Sequence, residues 1–241
     1  MGDSDDDDGG GWHGRGWRVL AGGDGADRAG LPWAEALAPL PLAALALVVV
    51  NDWLLKPAVG AQAGWLTGKL SDVAGVIVAP LVATAVVDLG AWALARLGAP
   101  LDWTLRRWKL ALAIAITAAG VVAVKLSAGA AGAVARGLGG LGFDARIVVD
   151  PTDLLALPAL GLAWWQGRRA LARGAHGRLA WLAAQHRRGV DVPHPFADAV
   201  QAGADPARVA ELEAAAATWL AGGPSAPVDR ALARLRGTAR P

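Results

Sequence analysis

Four short polar clusters interrupt an otherwise apolar stretch of this sequence, and their residue types are those of ion and phosphate chemistry. They are Asn51, Asp52 and Lys56; Thr67, Lys69, Ser71 and Asp72; Lys125 and Ser127; and Asp150, Thr152 and Asp153. Carboxylates brought close together hold a hard cation such as Mg²⁺ or Ca²⁺ through oxygen ligands, and Asp52, Asp72, Asp150 and Asp153 are the candidate set. Lysine ammonium groups and the free amides of helix N-termini receive phosphate. A carboxyl group with a raised pKa does general acid–base work. An ionised Asp at the centre of a membrane helix costs about 2.5–3.5 kcal/mol on insertion scales, so embedded acids tend to be functional. The same residues also suit structural roles. Asp72 and Asp153 can cap helices, and Lys69 and Lys125 can snorkel to headgroups. The pattern names no reaction, and no residue carries a catalytic assignment.

Two clusters echo each other. Lys69-Leu70-Ser71 recurs as Lys125-Leu126-Ser127, and Ser71-Asp72 with Pro80 parallels Thr152-Asp153 with Pro158. A duplicated helical hairpin would produce this, with each hydroxyl-Asp pair acting as the N-cap of its helix.

The elements that must position these residues are membrane helices. Apolar residues make up 54% of the 241 positions and charged residues 18%, against about 25% charged in a soluble domain. Crossing the hydrocarbon takes about 20 predominantly apolar residues in a helix. Four segments qualify: Leu37 to Trp53, about Val73 to Leu94, Trp108 to Val124, and a short one from about Asp153 to Trp165. Arg96, Arg106, Arg107 and Lys109 lie between the second and third, Arg168, Arg169, Arg173 and Arg178 follow the fourth, and Arg15, Arg18 and Arg28 precede the first. The positive-inside rule then places both termini in the cytoplasm and all four polar clusters on the opposite side. Trp33, Trp53, Trp65, Trp92, Trp108, Trp164 and Trp165 fall near the proposed interfaces, where indoles are favoured. Ser127 to Gly142, rich in Gly and Ala, reads as a re-entrant or interfacial helix.

The ends differ from the middle. The chain opens on an Asp run followed by Gly-rich sequence, which predicts a disordered tail rather than a signal peptide. Beyond Arg168 the composition is that of a soluble helical region. Asp205-Pro206 makes an N-cap with Pro at the first helical position, Val209, Leu212, Ala216, Trp219 and Leu220 recur at helical spacing, and Gly222-Gly223 stops the helix. Arg178 to Arg188 and Val228 to Arg236 read as two more amphipathic helices, packed together as a cap in preference to lying on the membrane. The chain has no cysteine, which excludes disulfides, thiolate catalysis, Fe–S clusters and Cys-based zinc sites. His13, His176, His186 and His194 all lie outside the apolar segments, so haem held by two histidines in the bilayer is excluded. No basic cluster alternates with exposed aromatics, which argues against nucleic acid.

Asn51-Asp52-Trp53-Leu54-Leu55-Lys56, followed by Thr67-Gly68-Lys69-Leu70-Ser71-Asp72-Val73-Ala74-Gly75 and Pro80, resembles a set of uncharacterised bacterial integral membrane proteins with an N-D-x-x-L-K…T-G-K-L-S-D-x-x-G pattern. That resemblance covers roughly residues 40–165 and implies no activity. More distantly, the layout is similar to the VanZ-like family, small four-span proteins associated with resistance to glycopeptide antibiotics. These carry one polar motif entering the second span and an Asp-rich motif entering the fourth. Asp150-Pro151-Thr152-Asp153-Leu154-Leu155-Ala156 and Gly161 fit the second motif. The first departs: the VanZ-like pattern has an Asp-Lys pair and a following His, and this chain has no membrane histidine.

The expected architecture is an all-α, polytopic transmembrane helical bundle of four spans in the bacterial inner membrane, with both termini cytoplasmic. Residues 1–32 form the disordered acidic tail, 33–167 the transmembrane domain, and 168–241 a cytoplasmic amphipathic-helical tail. The expected function is an extracytoplasmic-facing Asp/Lys/Ser cleft that binds or processes an envelope lipid or another anionic ligand. Two other readings stand beside it: a non-catalytic scaffold whose residues 175–241 recruit a cytoplasmic protein, and a small transporter acting as an oligomer. No cofactor is evident, although the four aspartates leave room for a divalent cation.

Overall fold

A computed structural model describes residues 32–33, 35–59, 64–142, 147–173 and 175–238. The acidic tail expected over residues 1–32 lies, but for its last residue, outside the described residues, as do His13, Arg15, Arg18, Arg28 and Arg146. Helices are the only regular elements among the described residues.

Helix α1 spans Pro39–Val50, and two prolines in its opening turns cost it nothing, because the first N–H groups of a helix have no partner within it. It runs without a break into a π-helical turn, Asn51–Leu55, and then α2, Lys56–Val59. Helix α3 spans Gly64–Arg96 and tolerates Pro80 in its interior. It ends in a left-handed glycine, Gly98 (φ 100°), with the Ala99 amide returning to the Leu94 carbonyl at 3.1 Å, a C-cap only glycine adopts without strain. Helix α4 spans Arg107–Leu126 and α5 spans Ala128–Gly140. A 3₁₀ helix, Pro151–Ala159, leads into α6, Leu160–Arg173.

Three helical stretches are long and apolar enough to cross a membrane: Pro39–Ala58, Trp65–Arg96 and Arg107–Leu126. The chain's own packing covers only 17%, 44% and 11% of their most apolar windows. Leu45, Val49, Val82, Val86, Leu112 and Ile116 are exposed along them, far more apolar surface than a water-soluble protein leaves open. These helices need lipid as solvent. Helix α3 is the hub, packed against α1, α4, the 3₁₀ helix and α6. Leu81, Leu110, Ala163 and Leu171 form the core between α3, α4 and α6, while Ala44, Ala74 and Ile77 join α1 to α3.

The second span was expected to begin near Val73; α3 begins at Gly64. Trp65, Leu66 and Thr67 hold helical geometry, so Ser71 and Asp72 sit two turns inside the helix and cannot cap it. The fourth segment differs too. The stretch after Asp150 is 3₁₀ before it becomes α-helical, and it is absent from the helices that meet the length and hydropathy of a span.

Helix α6 crosses α4 at Gly167, and a Cβ there would land on the Leu110 methyl groups, which are fully buried. Gly161, six residues earlier, faces open space. Gly167→Ala is therefore expected to destabilise by about 1–3 kcal/mol through overpacking. Gly161→Ala is expected to gain up to about 1 kcal/mol from helix propensity. Thermal unfolding in detergent separates the two, and equal midpoints would mean that α6 does not pack on Leu110.

Beyond α6 the chain builds a second core. Helices α7 (Ala175–His186), α8 (Ala197–Gln201), α9 (Pro206–Leu220) and α10 (Ala226–Thr238) bury Leu179, Phe196, Val209, Leu212, Ala216, Val228 and Leu232 against one another. Asp205 caps α9 through the Ala207 amide at 3.0 Å, with Pro206 at the first position. Gly222 (φ 94°) follows its end.

Candidate functional site

The polar clusters meet at one end of α3. The π turn positions the first of them. A π turn widens the helix by one residue, and here it accompanies an inward-facing Asn51 that is fully buried. Its Nδ2 donates to the Thr67 carbonyl at 2.6 Å and to Ser71 Oγ at 2.7 Å. Ser71 in turn donates to Asp52 Oδ1 at 2.8 Å, and Lys56 pairs with the same oxygen at 2.6 Å, one turn further on. Asn51, Asp52, Lys56, Thr67 and Ser71 thus form one connected group joining α1 to α3.

The second group centres on Asp153, which is largely buried. One of its carboxylate oxygens meets Lys69 and the other meets Lys125 at 2.5 Å. Lys125 also reaches Asp72 at 3.3 Å. Lys69 donates to Thr152 Oγ1 at 2.5 Å and to Asp150 Oδ2 at 3.4 Å. One aspartate therefore ties α3, α4 and the 3₁₀ helix together.

Asp150, not Asp153, is the N-cap of that helix: its Oδ1 accepts from the Thr152 amide at 2.9 Å and from the Thr152 hydroxyl at 2.7 Å. Those Thr152 bonds, with Lys69 behind them, hold the Asp150 carboxyl below its ordinary value. The Lys-Leu-Ser echo is only half structural. Lys69 and Lys125 share Asp153, but Ser71 lies inside α3 while Ser127 caps α5 by accepting from the Ala130 amide at 3.2 Å. Ser127 is the one candidate not drawn into the network.

A cavity of about 690 Å³ opens between these groups. Lys56, Lys69, Ser71, Asp72, Lys125, Asp150, Thr152 and Asp153 supply its polar lining; Trp65, Val76, Ala79, Val121, Val124, Ile147 and Val148 supply its apolar lining. Every carboxylate on it faces a lysine. Among the described residues, no group of three or more His, Cys, Asp or Glu is placed to hold a metal ion, because the ammonium groups occupy the space between the aspartates.

A second charged network, at the opposite end of α3, was not foreseen. Asp88 is 1% exposed and pairs with Lys109, which also donates to the carbonyls of Asp102 at 2.7 Å and Thr104 at 3.0 Å. Arg178, from α7, reaches Asp102 Oδ2 and Thr104 Oγ1, each at 2.7 Å, and Arg106 joins Asp198 at 3.2 Å. Burial would raise the Asp102 carboxyl, but hydrogen bonds from Thr104 and the Arg178 guanidinium hold it below its ordinary value. Glu35 is buried beside Thr84 and Asp88, and that burial pushes its carboxyl up to about 7. The available signal was Asp88 itself, an acid inside an apolar helix, with a lysine in the opening turn of the next. No family model, curated protein or solved structure matches this chain.

Proposed function

We propose that this is an inner-membrane protein of four crossings, with both termini cytoplasmic, whose Asp/Lys cleft binds the headgroup of an envelope lipid. The observation that carries the reading is the mixed lining of the cleft cavity, lysines and aspartates beside an apolar wall of Val76, Ala79, Val121 and Val124. An amphiphile has the same two-part character. Three lysines (Lys56, Lys69, Lys125) and three aspartates (Asp72, Asp150, Asp153) line it, and Asp52 pairs with Lys56. A headgroup that carries an amine as well as a phosphate satisfies both signs. The phosphate would take donors from Lys69 and Lys125 in exchange for their bonds to Asp153, and the amine would face Asp72 or Asp150.

The fourth crossing is supported by where the segment begins and ends. Asp153 lies beside Lys69 and Lys125 at one end of the bundle, and Arg178 lies beside Asp102 at the other. A nine-residue 3₁₀ helix followed by a fourteen-residue α-helix rises about 39 Å, more than the roughly 30 Å of hydrocarbon. The orientation is supported by Arg96, Arg106, Arg107, Lys109, Arg168 and Arg169 lying toward the Asp102 end, as the positive-inside rule requires of a cytoplasmic face.

The test is equilibrium binding of short-chain phosphatidylethanolamine to the detergent-solubilised protein, followed by native mass spectrometry. K69A/K125A is expected to weaken binding by at least about tenfold, the effect of losing two charge-assisted hydrogen bonds. A change of less than twofold, in a variant that still unfolds cooperatively, would remove the cleft as the binding site.

A further inference from the structure

The other end of the molecule carries a second cavity, of about 570 Å³, between the last turns of α3 and the C-terminal helices. Trp92, Arg96, Trp103, Arg187, Arg188 and Trp219 line it, over a floor of small alanines. Its charge is of one sign. Arg106, Arg178, Arg208 and Arg234 each have a carboxylate partner, whereas Arg96, Arg187 and Arg188 take part in no ion pair among the described residues. Arg188 is aimed by the loop after α3: its two terminal nitrogens donate to the carbonyls of Gly98 and Ala99, each at 3.3 Å. Arg96 is held over the Trp92 ring at 4.7 Å.

We propose that this cavity binds the phosphate headgroup of an anionic phospholipid. Three guanidinium groups without a carboxylate partner among the described residues line one space, and a guanidinium fork matches phosphate oxygens two at a time. Trp92 and Arg96 belong to a helix long and apolar enough to span the bilayer, which sets the mouth of the cavity at the boundary of hydrocarbon and water. Indole rings are favoured at that level because one edge is apolar and the other donates a hydrogen bond. A lipid reaches the site along α3 with its tails still in the membrane, whereas a soluble phosphate compound gains nothing from Trp92 at this depth. The site differs from the Asp/Lys cleft in sign: the cleft offers both charges, and this cavity only positive ones.

The experiment presents full-length protein in neutral detergent with dioctanoyl phosphatidylglycerol, dioctanoyl phosphatidylcholine or inorganic phosphate, and reads binding by native mass spectrometry. Phosphatidylglycerol is expected to bind over phosphatidylcholine, and R96Q/R187Q/R188Q to weaken it by at least about tenfold, as expected for three basic groups near an anionic lipid. Loss of phosphatidylglycerol binding with K69A/K125A but not with R96Q/R187Q/R188Q would place this lipid in the cleft and overturn the assignment. Should the triple variant unfold, R187E serves in its place. Arg187 is exposed and makes no ion pair among the described residues, and reversing its charge is expected to weaken phosphatidylglycerol by about threefold or more. Equal binding of phosphatidylcholine, retention of phosphatidylglycerol by the variants, or inorganic phosphate binding as tightly as the lipid would each overturn the assignment.

Discussion

Replacing Asp88 with alanine is expected to lower stability by about 3–5 kcal/mol, the cost of leaving one member of a buried ion pair without its partner. Lys109 has a side chain 9% exposed, and its remaining acceptors, the carbonyls of Asp102 and Thr104, are neutral. For a chain of this size that loss lowers the unfolding midpoint by roughly 10 °C. The double variant D88L/K109M removes both charges and is expected to recover most of the loss, since apolar replacement of a buried pair is often neutral or better. Thermal unfolding in detergent reads both. A D88A protein as stable as the parent, or a double variant no better than the single one, would mean that the pair is reached by water and contributes little.

The second large effect is expected at Arg178. Its side chain is 8% exposed, and one guanidinium makes three contacts at 2.7 Å, to the Pro195 carbonyl, Asp102 and Thr104. It therefore fastens the C-terminal helices both to their own loop and to the loop joining α3 to α4. Arg178→Ala is expected to cost about 3–5 kcal/mol, with the loss concentrated in the docking of residues 175–235. Hydrogen exchange is expected to quicken across α7 to α10 while α3 and α4 keep their protection. Arg178→Lys is not expected to rescue, because an ammonium cannot present three donors in the plane of the guanidinium fork. Uniform loss of protection across the whole chain, or rescue by lysine, would contradict this role.

Which parts of this structure could be read from the sequence follows from how local their causes are. Three spans were visible because a helix in lipid must be apolar over its whole length, and such runs survive any uncertainty about packing. The polar clusters were visible for the converse reason: Asp72 and Lys125 stand out against those runs. Asp205-Pro206 was legible because a cap and its first turn are decided within three residues. What could not be read depends on distant partners. Asn51 becomes a central residue only when α3 presents Thr67 and Ser71 to it. Asp88 and Lys109 are 21 positions apart, with a loop between them. The fourth segment was read as ending at Trp165 because Gln166, Arg168 and Arg169 close the apolar run, whereas helical geometry continues from Pro151 to Arg173. Asp72 was misread as a cap because the polar run before it suggested a loop, yet it contains no proline and continues the helix from Gly64.

Helix α3 also acts as a ruler. Asp72 and Asp88, each committed to a lysine on α4, stand sixteen positions apart on it, about 24 Å along the axis. The distance between the two ionic networks is thus some 6 Å less than the roughly 30 Å of a typical hydrocarbon core. The inner of the two pairs is closed off by protein, with Asp88 and Lys109 both buried, so its charges can lie at hydrocarbon depth without meeting a lipid tail.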